Sequence, residues 1–274
     1  MPPARLSARG RKPDIVFAHA NSFAAGTYRV LLDAWRAAGH RVFAIERFGH
    51  DPRYPVTSNW PHLRRHLVDF ITAHCDAPAI LVGHSMGGLI SLQAALWRPG
   101  LAHGVILLDS PLLTGWRARA LAAIKVSGLI THLSPARMTR RRRTQWPSRA
   151  LALAHFKSKA VFAAWDARVL DDYLDTGFVH HKTGTRLSYD PEVEARTYET
   201  LPHQLGALLH RAQPRCPIAF VGGKHSHELQ MVGAAAVTRL AGERVRWIDG
   251  SHLFPMERPD ETAQTVLQLI AGMP

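Results

Sequence analysis

The chain has 274 residues, 46% of them apolar, which suits one large domain with a packed core and excludes a disordered chain. Its formal net charge is +13, yet no apolar run approaches the roughly 20 residues that span a bilayer, so no transmembrane segment is expected. Two cysteines, Cys75 and Cys216, are too few for a disulfide framework, and the basic opening "MPPARLSARGRKPD" has no apolar stretch behind it, so the expectation is no secretory signal and a cytoplasmic protein.

Six short apolar runs read as buried strands: "DIVFAH" from 14, "RVFAIER" from 41, "AILVGHS" from 79, "GVILLDS" from 104, "PIAFVGG" from 217 and "RVRWIDGS" from 244. They do not alternate cleanly between apolar and polar residues, as expected of strands covered on both faces. Helical patterns separate most of them, among them "TYRVLLDAWRAAG", "HLRRHLVDFITAHC", "GGLISLQAALW" and "ELQMVGAAAVTRLAG", and a last helix begins near Pro259. Strand–helix alternation predicts an α/β fold with a parallel sheet wrapped on both sides.

About a hundred residues separate the fourth strand, ending near Ser110, from the fifth, starting near Pro217. A structureless loop of that length is improbable in a compact domain. The segment is expected to form a helical cap over the carboxyl ends of the strands, with Trp116, Trp146, Phe156, Phe162, Trp165, Tyr173 and Phe178 mostly in its core. The expected division is a basic extension at 1–13, a core at 14–110 and 214–274, and the cap at 111–213. The cap also carries the charge asymmetry. From Ser110 to Trp165 there are eleven Lys or Arg and no acid, whereas Asp166 to Gln213 holds eight acids. A solvated face partly neutralised by the acidic stretch is the simpler expectation; attraction of an anionic substrate is the other. No nucleic-acid motif is present.

The chemistry concentrates in "LVGHSMGGL", residues 81–89. Gly83, Ser85 and Gly87 fit G-x-S-x-G between a strand and a helix. A serine oxygen is a weak nucleophile that must be held exposed on a sharp turn, and the helix that follows points N–H groups at developing negative charge. In "IDGSHLFPMERPD", His252 follows the last strand and can act as the base if its loop reaches Ser85. Seventeen histidines are present, so His252 alone means little; its place after Ser85 at a strand end is what counts. "FAHANSF" at 17–23, after the first strand, can place a backbone N–H opposite that of Met86, forming an oxyanion hole. H-E-x-x-H, clustered Cys/His spacing and the P-loop are all missing, so no metal, nucleotide or other cofactor is implied.

These segments resemble the α/β-hydrolase superfamily. "GHSMGG" is similar to its nucleophile elbow, and "HANSF" to its His-Gly oxyanion loop, with Ala20 in the glycine position and Asn21 matching the donor. "GSHLFPMERP" resembles its terminal Gly-His segment, and "ERFGHDPRYP" a degraded form of a further family loop. The resemblance implies a three-layer fold whose sheet, lacking the usual opening hairpin, has six parallel strands. It also implies an acid after the fifth strand, but Gly222-Gly223-Lys224-His225 stands there with a histidine. Three carboxylates could substitute. Glu228 lies on the following helix and is expected to face outward. Asp249 would have to bend back from its own strand. Asp109 ends the strand beside the nucleophile strand, where certain haloalkane dehalogenases and lipases resemble this arrangement, and is the preferred acid. Dehalogenases and epoxide hydrolases of this fold use an aspartate nucleophile, which Ser85 argues against. The reading is a serine esterase or thioesterase acting on a small acyl substrate. Its rivals are an acyltransferase or C–C bond hydrolase on the same residues, and a non-catalytic binding protein.

Overall fold

The computed structural model describes residues 11–182 and 184–274, so most of the basic extension expected at 1–13 lies outside the described residues. The first strands are β1 (Ile15–Ala18), β2 (Val42–Ala44), β3 (Ala79–His84) and β4 (Ala102–Leu108). An insert follows with three short strands, β5 (Gln145–Trp146), β6 (Phe178–His181) and β7 (Gly184–Leu187). The chain then returns to the main sheet with β8 (Ile218–Gly223) and β9 (Val245–Ile248). The main sheet has the order β2-β1-β3-β4-β8-β9, and every pairing in it is parallel. No hairpin precedes β1 among the described residues.

Burial on both faces explains the largely apolar runs of the inner strands β1, β3, β4 and β8; the edge strand β9, expected to be covered on both faces, instead leaves Arg246 and Trp247 exposed. Successive side chains point to opposite faces. Ile15, Phe17, Ile80, Val82, Ile106 and Leu108 pack into one core with Leu31 and Trp35 of helix α1 (Arg29–Ala37) and Val266 of the closing helix Pro259–Ala271. Their neighbours Val16, Leu81, Val105, Leu107 and Phe220 pack into the other, against Leu63 and Leu67 of α2 (Pro61–His74) and Ile90 of α3 (Met86–Trp97). Two filled layers clamp the sheet, so the loops at its carboxyl edge start from rigid positions.

The insert differs from the expected helices and loops. It has helices, including Gly115–Val126, Ala167–Thr176 and Pro191–Glu199, but also an antiparallel sheet in the order β5-β7-β6. Its strands are two to four residues long, too short for a clear period. Trp146, Phe156, Trp165, Tyr173 and Phe178 are buried in the expected aromatic core, which is continuous with one face of the main domain. Trp116 is not part of it, being 69% exposed. The basic stretch is partly neutralised by the acids that follow it: Arg140 pairs with Glu192 and Glu199, Arg142 with Glu194, and Arg149 with Asp171 and Asp175. Among the described residues no helix is long and apolar enough to cross a membrane.

Candidate active site

Ser85 sits between β3 and α3 with φ 51° and ψ −114°, a backbone state that costs a non-glycine residue free energy. Its neighbours make the turn possible. A Cβ on Gly83 would lie 2.4 Å from the backbone of Gly87, and one on Gly87 would lie 2.0 Å from the carbonyl oxygen of Ala18. The Ser85 N–H donates to Leu108 O at 2.8 Å, tying the turn to the end of β4.

Asp109 follows directly, also with positive φ (39°), and is fully buried. Its carboxylate accepts from three groups: the Gly223 N–H at 2.7 Å, the Ser226 hydroxyl at 2.6 Å and His252 Nδ1 at 2.7 Å. A charge cut off from water is tolerable when donors surround it in this way. Because Nδ1 carries the proton given to Asp109, the lone pair of His252 is on Nε2, which accepts from the Ser85 hydroxyl at 3.0 Å. The structure therefore brings Ser85, His252 and Asp109 into one hydrogen-bonded line at the carboxyl edge of β3, β4 and β9.

The two rival carboxylates are placed differently. Glu228 does not face outward as the sequence suggested; its Oε2 is 3.8 Å from His252 Nδ1, outside hydrogen-bond reach, and its side chain lines the cavity above Ser85. Ser226 explains the turn inward. Its hydroxyl caps the helix His227–Val232 through Leu229 N while donating to Asp109, which aims the first helical turn at the site. Asp249 pairs instead with His225 at 2.8 Å, both side chains well exposed. The histidine at 225 is thus a surface partner of Asp249.

Met86 and Asn21 line the same cavity as Ser85 and His252. The Asn21 loop is held from two sides: its side-chain amide donates to Glu194 O of the insert at 3.1 Å, and the Ala20 N–H donates to the Tyr28 hydroxyl at 3.2 Å. His19 locks the start of the loop, donating from Nδ1 to Ala20 O and accepting the Phe48 N–H at Nε2; burial pushes its pKa down to about 4.

The sequence reading missed one element of the site. His84, the residue before the elbow serine, is fully buried, and loss of water holds its pKa well below the usual histidine range. Its Nε2 faces the carbonyl oxygen of His252 at 2.9 Å, so Nε2 must carry the proton. Its Nδ1 is then an acceptor, and the Tyr28 hydroxyl donates to it at 2.7 Å. One directed chain runs from Ala20 N–H through Tyr28 and His84 to the backbone of His252. His84 could be suspected from its place in the motif, but Tyr28 sits in a sequence with no motif.

The cavity over Ser85 measures about 510 Å³. Most of its wall is apolar and comes from both parts of the chain, with Phe23, Leu89 and Leu253 from the core and Leu112, Val161 and Leu201 from the insert. Among the described residues no group of three or more His, Cys, Asp or Glu could hold a metal ion.

A six-stranded parallel sheet between helical layers, with a serine on the strand-to-helix turn after β3, defines an α/β-hydrolase fold. The chain belongs to the alpha/beta hydrolase family, whose model matches residues 15–265. It is 27% identical to a monoglyceride lipase of Rattus norvegicus over 117 residues, which is 40% of this chain and 39% of that protein. It is 26% identical to an epoxide hydrolase of Caballeronia sordidicola over 127 residues, 45% of this chain and 39% of that protein. The chain thus spans about two-fifths of the length of these curated relatives. Among solved structures it is similar to E-2-(acetamidomethylene)succinate hydrolase, with a TM-score of 0.75 at 19% identity, covering 96% of this chain and 93% of that one.

Proposed function

We propose that the chain is a serine hydrolase that cleaves a carboxylic ester or thioester through an acyl-enzyme. The observation that carries this reading is the line from Ser85 through His252 to buried Asp109, at 3.0 and 2.7 Å. Ser85 Oγ attacks the acyl carbon as His252 Nε2 takes its proton. The imidazolium so formed keeps its Nδ1–H on ionised Asp109. The backbone N–H groups of Met86 and Asn21 receive the oxyanion, an interaction worth on the order of 3–4 kcal/mol per donor in related chemistry. Collapse of the tetrahedral intermediate breaks the bond to the leaving group, which takes the proton from Nε2. Water, deprotonated by His252, then attacks the acyl-enzyme, and the acid departs with Ser85 restored.

In this reading the insert at 111–213 is the cap, and its apolar wall supports an apolar acyl or alkyl group in the cavity. The lipase among the relatives is consistent with an ester; the epoxide hydrolase is set aside because Ser85 holds the nucleophile's place. The proposal extends to negatively charged substrates, since Arg117, Arg119 and Arg137 of the cap are exposed. A kcat/KM that falls from 0.1 to 1 M salt for an anionic ester alone supports that extension, and equal indifference for anionic and neutral esters removes it.

The deciding experiment is labelling with a fluorophosphonate probe. Rapid labelling confined to Ser85, lost in Ser85→Ala together with turnover of p-nitrophenyl esters, is the expected result. An unlabelled wild-type protein favours a non-catalytic binding role, and label on another residue moves the nucleophile.

A further inference from the structure

A second cavity, of about 290 Å³, lies behind one wall of the first. Pro202 and Leu205 face both. The two cavities differ in chemistry. The second is lined by Ser58, Asn59, Arg64, Gln93 and Gln204 besides its prolines and leucines, with no carboxylate among these residues.

Several of its polar groups are donors that lack a partner. Arg64 is partly withdrawn from water, and this burial alone lowers its pKa; no acid offsets it. Other arginines of the chain have carboxylates: Arg41 pairs with Asp14, Arg140 with Glu192 and Glu199, and Arg142 with Glu194. The Arg64 guanidinium lies over the Trp97 ring at 4.3 Å, which covers one face of the ion but supplies no hydrogen-bond acceptor at its edge. Its Nε has no partner among the described residues, and neither does Nε2 of Gln93, a residue only 4% exposed.

Ser58 adds a hydroxyl with an unspent proton. Its Oγ already accepts from Lys125 Nζ at 2.7 Å and from Asn59 Nδ2 at 3.3 Å, so its O–H is left to donate. Among the described residues Lys125 touches neutral acceptors there, Ser58 Oγ, Leu201 O and His203 Nδ1. Burial draws its pKa down to about 8. A partly buried guanidinium, a buried amide and a hydroxyl with a proton to donate thus line one cavity, and the Lys125 ammonium is bonded to that hydroxyl. Desolvated donors and charges without partners are costly, and an anion would relieve that cost.

We propose that this cavity is a binding site for a small molecule bearing a carboxylate or phosphate, gripped by Arg64, Ser58 and Gln93 with Lys125 behind. The guanidinium presents paired N–H groups that match either oxyanion. The backbone around the site is already set. Asn59 and Trp60 both hold positive φ, 65° and 59°. Asn59 Oδ1 accepts the N–H groups of His203 and Gln204, and Trp60 Nε1 donates to Thr200 Oγ1. These bonds brace the floor of the cavity against its opposite wall before any ligand arrives.

The test is calorimetric titration of the full chain with inorganic phosphate and, separately, with benzoate, at constant ionic strength set with chloride. Saturable binding of either supports the site, and the ion that saturates names the headgroup. Arg64→Met is expected to weaken that binding at least tenfold, and Ser58→Ala by a smaller factor with the fold undisturbed, which keeps the test decisive if the arginine variant is unstable. Arg36→Met, exposed on α1 on the opposite side of the main sheet, should bind as wild type does. The proposal is overturned if neither anion saturates, or if Arg64→Met (folded, by circular dichroism) and Ser58→Ala bind like wild type.

Discussion

His252 Nδ1–H donates a hydrogen bond to Asp109 across 2.7 Å, and the accepting carboxylate has no exposure to water. The pair is therefore unscreened, and its geometry is set by the two further donors on the same carboxylate, Gly223 N–H and the Ser226 hydroxyl. Asp109→Asn should reduce kcat severely, by roughly 10⁴-fold if the effect matches that of the orienting acid in serine proteases. The amide offers only one acceptor oxygen to donors that approach both oxygens of the acid, so the histidine loses its orientation. Glu228→Gln should stay within a small factor of wild type, because Glu228 is 3.8 Å away and half in solvent. Equal losses in the two variants would mean that His252 uses both acids.

The elbow was legible in the sequence because everything that shapes it is local. Gly83, Ser85 and Gly87 lie within five residues, between a strand and a helix that their own patterns disclose. The inner strands β1, β3, β4 and β8 were legible for a similar reason, since they are covered on both faces and read as largely apolar runs, whereas the edge strand β9 leaves Arg246 and Trp247 exposed. The neighbourhood of His252 was not local. Which carboxylate faces Nδ1 depends on how the chain turns at Asp109 after β4 ends and on Ser226, whose double hydrogen bond turns Glu228 inward. No sequence period encodes that bond. The insert's small sheet escaped because its strands are too short for a period, and Trp116 shows that an aromatic in the insert need not be core.

The Tyr28–His84 relay predicts an effect on turnover without a matching effect on binding. Tyr28→Phe keeps the ring in its core and removes one oxygen. It strands His84 Nδ1 and the Ala20 N–H, each a buried group whose loss of a partner costs about 1–3 kcal/mol. Neither Tyr28 nor His84 lines the cavity, so KM should hold while kcat falls, alongside a loss of stability. A rise in KM at unchanged kcat would instead mean that Tyr28 shapes the pocket alone.

Buried histidines make the fold sensitive to acid. His19, with its pKa pushed down to about 4, and His84, pushed well below 6.5, stay neutral in the native state under conditions that protonate them when unfolded. Below pH 6.5 the unfolded chain therefore binds more protons, and stability falls as pH falls; above it, this contribution is fully present. Each histidine contributes a slope of up to roughly 1.4 kcal/mol per pH unit. Denaturant unfolding should thus give a clearly lower stability at pH 5 than at pH 7, and His19→Gln should flatten the slope. A stability that is level or rising toward pH 5 would contradict this account.

The insert holds the Asn21 loop through the backbone of Glu194, whose side chain forms a buried ion pair within the insert, and that pair should behave asymmetrically on mutation. Glu194 is 4% exposed, pairs with Arg142 and holds Asn21 through its backbone oxygen; burial raises its pKa while Arg142 opposes the rise. Glu194→Gln leaves the Arg142 charge in place without its acid, a loss expected to cost about 3–5 kcal/mol. Arg142→Met removes the cation and lets Glu194 relieve its own burial by taking up a proton, so it should cost less. The double variant should recover much of the Glu194→Gln loss, since two neutral side chains need no mutual compensation. Unfolding midpoints of the four proteins give the coupling directly. Because the bond to Asn21 uses the main chain, the double variant should keep most of its turnover. Strictly additive losses would show that the two charges do not interact.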